Sequence, residues 1–135
     1  MSDSSSLRRA ILIVDHGSRD ETVQHALARL AELVAEARPG WIVEHAHMEL
    51  AEPGFDAGID TLVARGAKQI DVHLNFLSAG YHVRVTIPQL VAKARKRHPT
   101  IPIETSEPLG HDPRIVDLIV DRMDAQSRAD RESSK

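Results

Sequence analysis

Ala10-Ile11-Leu12-Ile13-Val14 is an unbroken apolar run, followed at once by the polar stretch Asp15-His16-Gly17-Ser18-Arg19. A strand with one wet face alternates apolar and polar residues. A continuous run belongs to a strand covered on both faces, as in parallel sheets flanked by helices. The period then changes from two to 3.6: Val23, Ala26, Leu27, Leu30, Leu33, Val34 and Ala37 recur at i, i+3, i+4 and i+7, which predicts an amphipathic helix. Ser18-Arg19-Asp20-Glu21 fits a capping box at its start, and Pro39-Gly40 stops it.

The same alternation continues along the chain. Trp41–Met48 reads as a second strand, after which Pro53 opens a helix carrying Phe55, Ile59, Leu62 and Val63, ended by Gly66. Gln69–Leu74 is the third strand. Thr86-Ile87-Pro88-Gln89 is a second capping box, with Pro88 in the first turn of a helix bearing Leu90, Val91 and Ala94. Ile101–Thr105 is the fourth strand, and Asp112-Pro113 supplies an N-cap and a first-turn proline to a last helix with Ile115, Leu118, Ile119 and Met123. Four βα units in sequence predict an α/β fold: a four-stranded parallel sheet with helices on both faces. The expected domain spans residues 1–128, with a polar, disordered tail at 129–135.

Composition limits the chemistry. The 135 residues suit one domain, and with 41% apolar and 3% aromatic residues the core must be built from aliphatics. A net charge of −3 provides no basic field for nucleic acid. With no cysteine and eight histidines, a metal would be held by His, Asp or Glu. No apolar run reaches the ~20 residues of a membrane span, and Met1–Ser6 is too polar for a signal peptide, so the expected location is the cytoplasm. No G-x-G-x-x-G, Walker lysine loop or G-x-S-x-G elbow occurs, which argues against dinucleotide, ATP and serine-hydrolase chemistry.

Open parallel sheets bind ligands outside the carboxyl ends of their strands. Each βα loop here is polar and distinctive, and His16 after the first strand and His82 after the third both lie in glycine-containing loops. A single histidine is more often a surface or capping residue than a ligand. Two neutral imidazoles at one sheet edge are a normal site for Fe²⁺, Co²⁺, Ni²⁺ or Zn²⁺.

His16-Gly17-Ser18-Arg19, Glu49-Leu50-Ala51-Glu52-Pro53, Phe76-Leu77 with Ala79-Gly80, His82-Val83 and Ile87-Pro88, and Pro108-Leu109-Gly110 follow one another over nearly the whole domain. In that order they resemble the motifs of the CbiX/SirB sirohydrochlorin chelatases. The resemblance implies a flavodoxin-like half-lobe and a class II, ATP-independent enzyme that inserts Co²⁺ or Fe²⁺, with Ni²⁺ also open, into sirohydrochlorin or a related tetrapyrrole for cobalamin or sirohaem. It implies metal binding by His16 and His82, no cofactor beyond the substrate metal, and a homodimer whose second chain supplies the wall that a second lobe supplies in longer relatives. Glu49 is the candidate proton acceptor, and Ser18, Arg19, Tyr81 and Arg84 are candidate substrate-binding residues; the alternatives are a carboxylate at a helix N-terminus and solvated surface charges. The chain departs from the family pattern at His47, Asn75, Tyr81 and Thr86. A non-catalytic metal- or tetrapyrrole-binding carrier would use the same histidines but needs no proton acceptor.

Overall fold

The structure, a computed structural model, describes residues 9–133; Met1–Ser6 lies outside them. Four strands, β1 (Ala10–Asp15), β2 (Ile42–His47), β3 (Ile70–Leu74) and β4 (Ile103–Thr105), form one parallel sheet in the order β2-β1-β3-β4. β1 is flanked on both sides, with Ala10 opposite Ile42 on one neighbour and Ile70 on the other. That central position explains its continuous apolar run. Leu12 and Val14 enter the larger core with Ile59, Leu62, Val72 and Val83, while Ile13 packs on the other face with Leu27 and Ala31.

The expected helices are present with shifted starts. α1 (Glu21–Ala37) covers β1 and β2 on one face; α2 (Phe55–Ala64) and α3 (Tyr81–Arg97) cover the other. The cap of α1 is Asp20, not Ser18: the Asp20 carboxylate accepts from Thr22 N at 2.8 Å, and Ser18 Oγ accepts from Asp20 N at 3.0 Å. A carboxylate serves this place well because it also meets the positive end of the helix dipole. α2 begins at Phe55 after Gly54 rather than at Pro53, whose carbonyl instead accepts from His47 N.

The largest correction concerns α3. It starts at Tyr81, with Gly80 as N-cap, so Pro88 lies in its interior and not in its first turn. An interior proline costs roughly 3 kcal/mol. Val83, Ile87, Val91 and Ala94 are all buried on the sheet, and each large side chain returns about 1.5–3 kcal/mol on burial. Packing outweighs the local cost. The basic end of α3 is also engaged, since Arg97 pairs with Asp60 at 2.7 Å and Arg95 donates to the Ile103 carbonyl.

α4 (Pro113–Ser133) is capped as expected, with Asp112 Oδ1 accepting from Arg114 N at 2.8 Å. It continues through residues 129–133, where a disordered tail was expected; Ala125, Arg128, Ala129 and Arg131 are good helix formers. Residues 134–135 lie outside the described ones. No residue of α4 is buried. Among the described residues no helix is long and apolar enough to cross a membrane.

Candidate active site

The strand order decides which loops meet. From β1 the chain moves to one side to make β2, then returns past β1 to make β3. The switch point lies between β1 and β3, and open α/β sheets place their ligand crevice there. The loop carrying His16 and the loop leading to His82 leave from these two neighbouring strands. They are tied at the root, where Asn75 N donates to the Val14 carbonyl at 2.8 Å.

His16 is exposed and lies against the ring of Phe76, centroids 4.4 Å apart and tilted by 43°. Phe76 is buried at 5% exposure and forms the floor under His16. Leu77 and Tyr81 do face outward, at 65% and 76% exposure. His82 lies in the first turn of α3 rather than in a loop, exposed at the same edge of the sheet. Helix placement gives it a firmer backbone than a loop would.

Glu49 is held to the first loop through its backbone. Met48 N donates to the Asp15 carbonyl at 2.9 Å and Glu49 N to the His16 carbonyl at 3.2 Å. Gly17 has φ +94°, and a Cβ there would lie 1.7 Å from the Glu49 carbonyl oxygen. Only glycine fits this contact. Among the described residues, the side chains of His16, His82, Glu49, Arg19, Tyr81 and Arg84 accept or donate no hydrogen bond and form no ion pair. Arg84 stands in the wall of a cleft of about 560 Å³ that also includes Ser78, Glu107 and His111. Ser18 is partly committed, through its acceptor role toward Asp20 N.

Two features escaped the sequence reading. Leu50 adopts φ 69° and is 53% exposed. A left-handed conformation costs a branched L-residue on the order of 1–2 kcal/mol, and strain of this kind collects at functional edges. The second is a buried pair. His47, 1% exposed, donates from Nδ1 to Asp15 Oδ1 at 2.7 Å across the β1–β2 register. This places His47 in the scaffold that steadies the residue before His16. His45 stacks edge-on against it, centroids 5.7 Å apart.

Burial, and then the neighbouring His47, push the His45 imidazole below its ordinary pKa of 6.5. The folded protein therefore resists protonating a group that the unfolded chain protonates freely. The contribution of His45 is intact above pH 6.5 and is lost as the pH falls below it. Thermal melts at pH 7.5 and 5.5 should show the wild type losing more stability on acidification than His45→Gln. Equal losses would show that His45 does not titrate against the fold.

Among the described residues no three His, Asp or Glu side chains are grouped closely enough to cage an ion.

Known proteins are similar to this chain in sequence and in fold. A family model described as CbiX matches residues 10–126. A chloroplastic sirohydrochlorin ferrochelatase of Arabidopsis thaliana is 38% identical over 113 residues, 84% of this chain and 50% of the relative. A sirohydrochlorin cobaltochelatase of Methanocaldococcus jannaschii is 32% identical over 84% of this chain and 96% of its own length. Among solved structures, a CbiX protein from Marinobacter aquaeolei superposes with a TM-score of 0.78 at 30% identity, covering 90% of this chain and 98% of that one. Bacillus subtilis SirB, solved in complex with cobalt, gives 0.79 at 32% identity over 87% of this chain. The chain spans about half the length of the Arabidopsis and B. subtilis proteins and nearly all of the M. jannaschii and Marinobacter ones. With the family model running from β1 into α4 and the sheet, switch point and loops all in place, this chain belongs to the CbiX family.

Proposed function

We propose that the protein inserts a divalent metal, Co²⁺ or Fe²⁺, into sirohydrochlorin or a related tetrapyrrole, for cobalamin or sirohaem synthesis in the cytoplasm. It acts without ATP and without a cofactor beyond the substrate metal. One observation carries the reading: His16, His82 and Glu49 are exposed and unpaired on the segments that follow β1, β3 and β2 at one edge of the sheet, and Leu50, Leu77 and Tyr81 on the same segments are exposed as well. Relatives named as chelatases for both metals support it.

Insertion exchanges two pyrrole N–H protons for one M²⁺. His16 and His82 replace part of the ion's hydration shell at the ring face and release it as the pyrrole nitrogens take over. The Glu49 carboxylate accepts one displaced proton, and the other passes to solvent water. Arg19 and Arg84 pair with the carboxylates of the tetrapyrrole, the free O–H of Ser18 donates to one of them, and Tyr81 lies along the macrocycle. One lobe covers little more than one face of so wide a disc, whereas ligand sites enclose most of their ligand. The other wall comes from a second copy of the chain, in a homodimer whose βα edges face a shared crevice.

The test is absorbance of sirohydrochlorin with Co²⁺, Fe²⁺ or Ni²⁺ in turn, where protein should accelerate the spectral change of insertion. Binding of metal or tetrapyrrole with no acceleration would support the carrier reading instead. Glu49→Gln separates the two chemically. It should slow insertion by on the order of 100-fold and leave metal affinity unchanged; a collapse of metal affinity would make Glu49 a ligand and not a base.

A further inference from the structure

Metal-binding histidines are usually oriented by hydrogen bonds. The ring nitrogen that does not meet the ion donates to a carboxylate, a carbonyl or water, which fixes the plane of the imidazole and raises its basicity. His16 has no such partner among the described residues: neither ring nitrogen forms a hydrogen bond or an ion pair. Several other histidines do have one. His47 is bonded to Asp15 at 2.7 Å and His98 to Asp60 at 2.8 Å, while His73 and His111 make longer contacts with Asn75 and Glu107. What His16 touches instead is the Phe76 ring, centroids 4.4 Å apart and planes tilted by 43°. His82 has neither kind of partner among the described residues.

Phe76 is held still from all sides. Its side chain belongs to the main core with Leu74, Val83 and Ile87. Its main chain is tied both before and after the ring. Asn75 N donates to the Val14 carbonyl at 2.8 Å, Leu109 N to the Phe76 carbonyl at 2.8 Å, and Gly110 N to the Leu77 carbonyl at 2.9 Å. Gly110 is what permits the last of these, since a Cβ there would lie 2.0 Å from the Leu77 carbonyl oxygen. The phenyl ring therefore cannot follow an imidazole that swings. His16, exposed and otherwise free, settles against it. Contact between two flat rings restricts tilt as well as position, which an aliphatic floor does not do.

We propose that Phe76 is the positioning residue of the metal site: its ring, in place of a hydrogen-bonded partner, holds the His16 imidazole in the orientation that meets the ion. The inference rests on the reading of His16 as a metal ligand, and Phe76 acts only through it. An apolar partner orients without adding charge. It leaves both imidazole nitrogens free of hydrogen bonds, so the support does not make His16 a stronger base. The hold on the ion stays weak enough for the pyrrole nitrogens to take it over.

Phe76→Leu keeps an apolar side chain in the core and removes the flat ring; Phe76→Tyr keeps the ring. The probe is Co²⁺ alone, titrated into the full chain below the melting temperature of every variant. Phe76→Leu should weaken Co²⁺ binding by about 10-fold, the scale on which outer partners of metal ligands act, and Phe76→Tyr should restore it. Val91→Ala truncates the same core toward the far end of α3 from His82, so its melting temperature should fall with Co²⁺ affinity unchanged. Proton spectra without metal read the contact itself. The ring current of Phe76 displaces the His16 ring protons, identified by their absence in His16→Ala, from the positions of an exposed histidine, and Phe76→Leu abolishes the displacement. The proposal is overturned if Phe76→Leu binds Co²⁺ as tightly as wild type while His16→Ala does not. It is also overturned if folded Phe76→Tyr or Val91→Ala is as weak as Phe76→Leu, or if the His16 shifts are the same with and without the ring. Wild-type Co²⁺ affinity in His16→Ala would end the metal-site reading, and this inference with it. Co²⁺ binding without accelerated insertion would end the chelatase reading and leave the role of Phe76 standing on the affinities.

Discussion

Replacing either His16 or His82 with alanine is expected to reduce metal insertion by at least about 100-fold, since even the outer partners of metal ligands are worth 10–100-fold. Both side chains are exposed and unpaired, so neither substitution opens a cavity or orphans a buried group, and the melting temperature should move little. On the proposed mechanism, in which the imidazoles both bind the ion and present it to the ring, the loss should appear in kcat as well as in the apparent affinity for metal. His16→Ala also strips the ring that lies on Phe76 and exposes apolar floor, so its stability change should be the larger of the two. Absorbance assays with each candidate metal, run beside thermal melts, decide the matter. Wild-type insertion rates in either variant would remove that histidine from the site.

Gly17→Ala should be the most damaging single-methyl change at this edge. Its Cβ would lie 1.7 Å from Glu49 O and 2.8 Å from Glu49 C, on a backbone at φ +94°. Left-handed strain alone costs about 1–2 kcal/mol, and neither contacting atom is the free end of a side chain that can swing away. The β2–α2 loop must move, for a total of about 3 kcal/mol or more, which is on the order of 10 °C in melting temperature for a domain of this size. The movement separates the Glu49 backbone from His16, whose carbonyl it bonds at 3.2 Å. Insertion should therefore fall even at temperatures where the variant remains folded. An unchanged melting temperature would show that the two loops are not packed as described.

Local physics wrote much of this protein into its sequence. The apolar run of β1, the switch of period into α1 and the glycine and proline stops are short-range effects, and they placed the four βα units and the polar loops at one edge of the sheet. Asp112-Pro113 marked the start of α4 for the same reason, since a cap needs only its own next few residues. His16 and His82 stood out because they lie in glycine-containing loops within the family motifs, and those motifs ordered the rest.

Tertiary structure decided what depends on neighbours far along the chain. The order β2-β1-β3-β4, which makes the His16 and His82 segments adjacent, follows from how helices close over both faces and not from any one segment. α3 runs through Pro88 because burying Val83 and Ile87 on the sheet outweighs a broken helical hydrogen bond. His47, a departure from the family pattern, became intelligible only when the register set Asp15 opposite it. The stripe on α4 was legible as amphipathic, but a periodicity names no partner. Where it meets the fold, at the turn Leu109–His111, Gly110 N donates to the Leu77 carbonyl, a contact between backbones more than thirty residues apart.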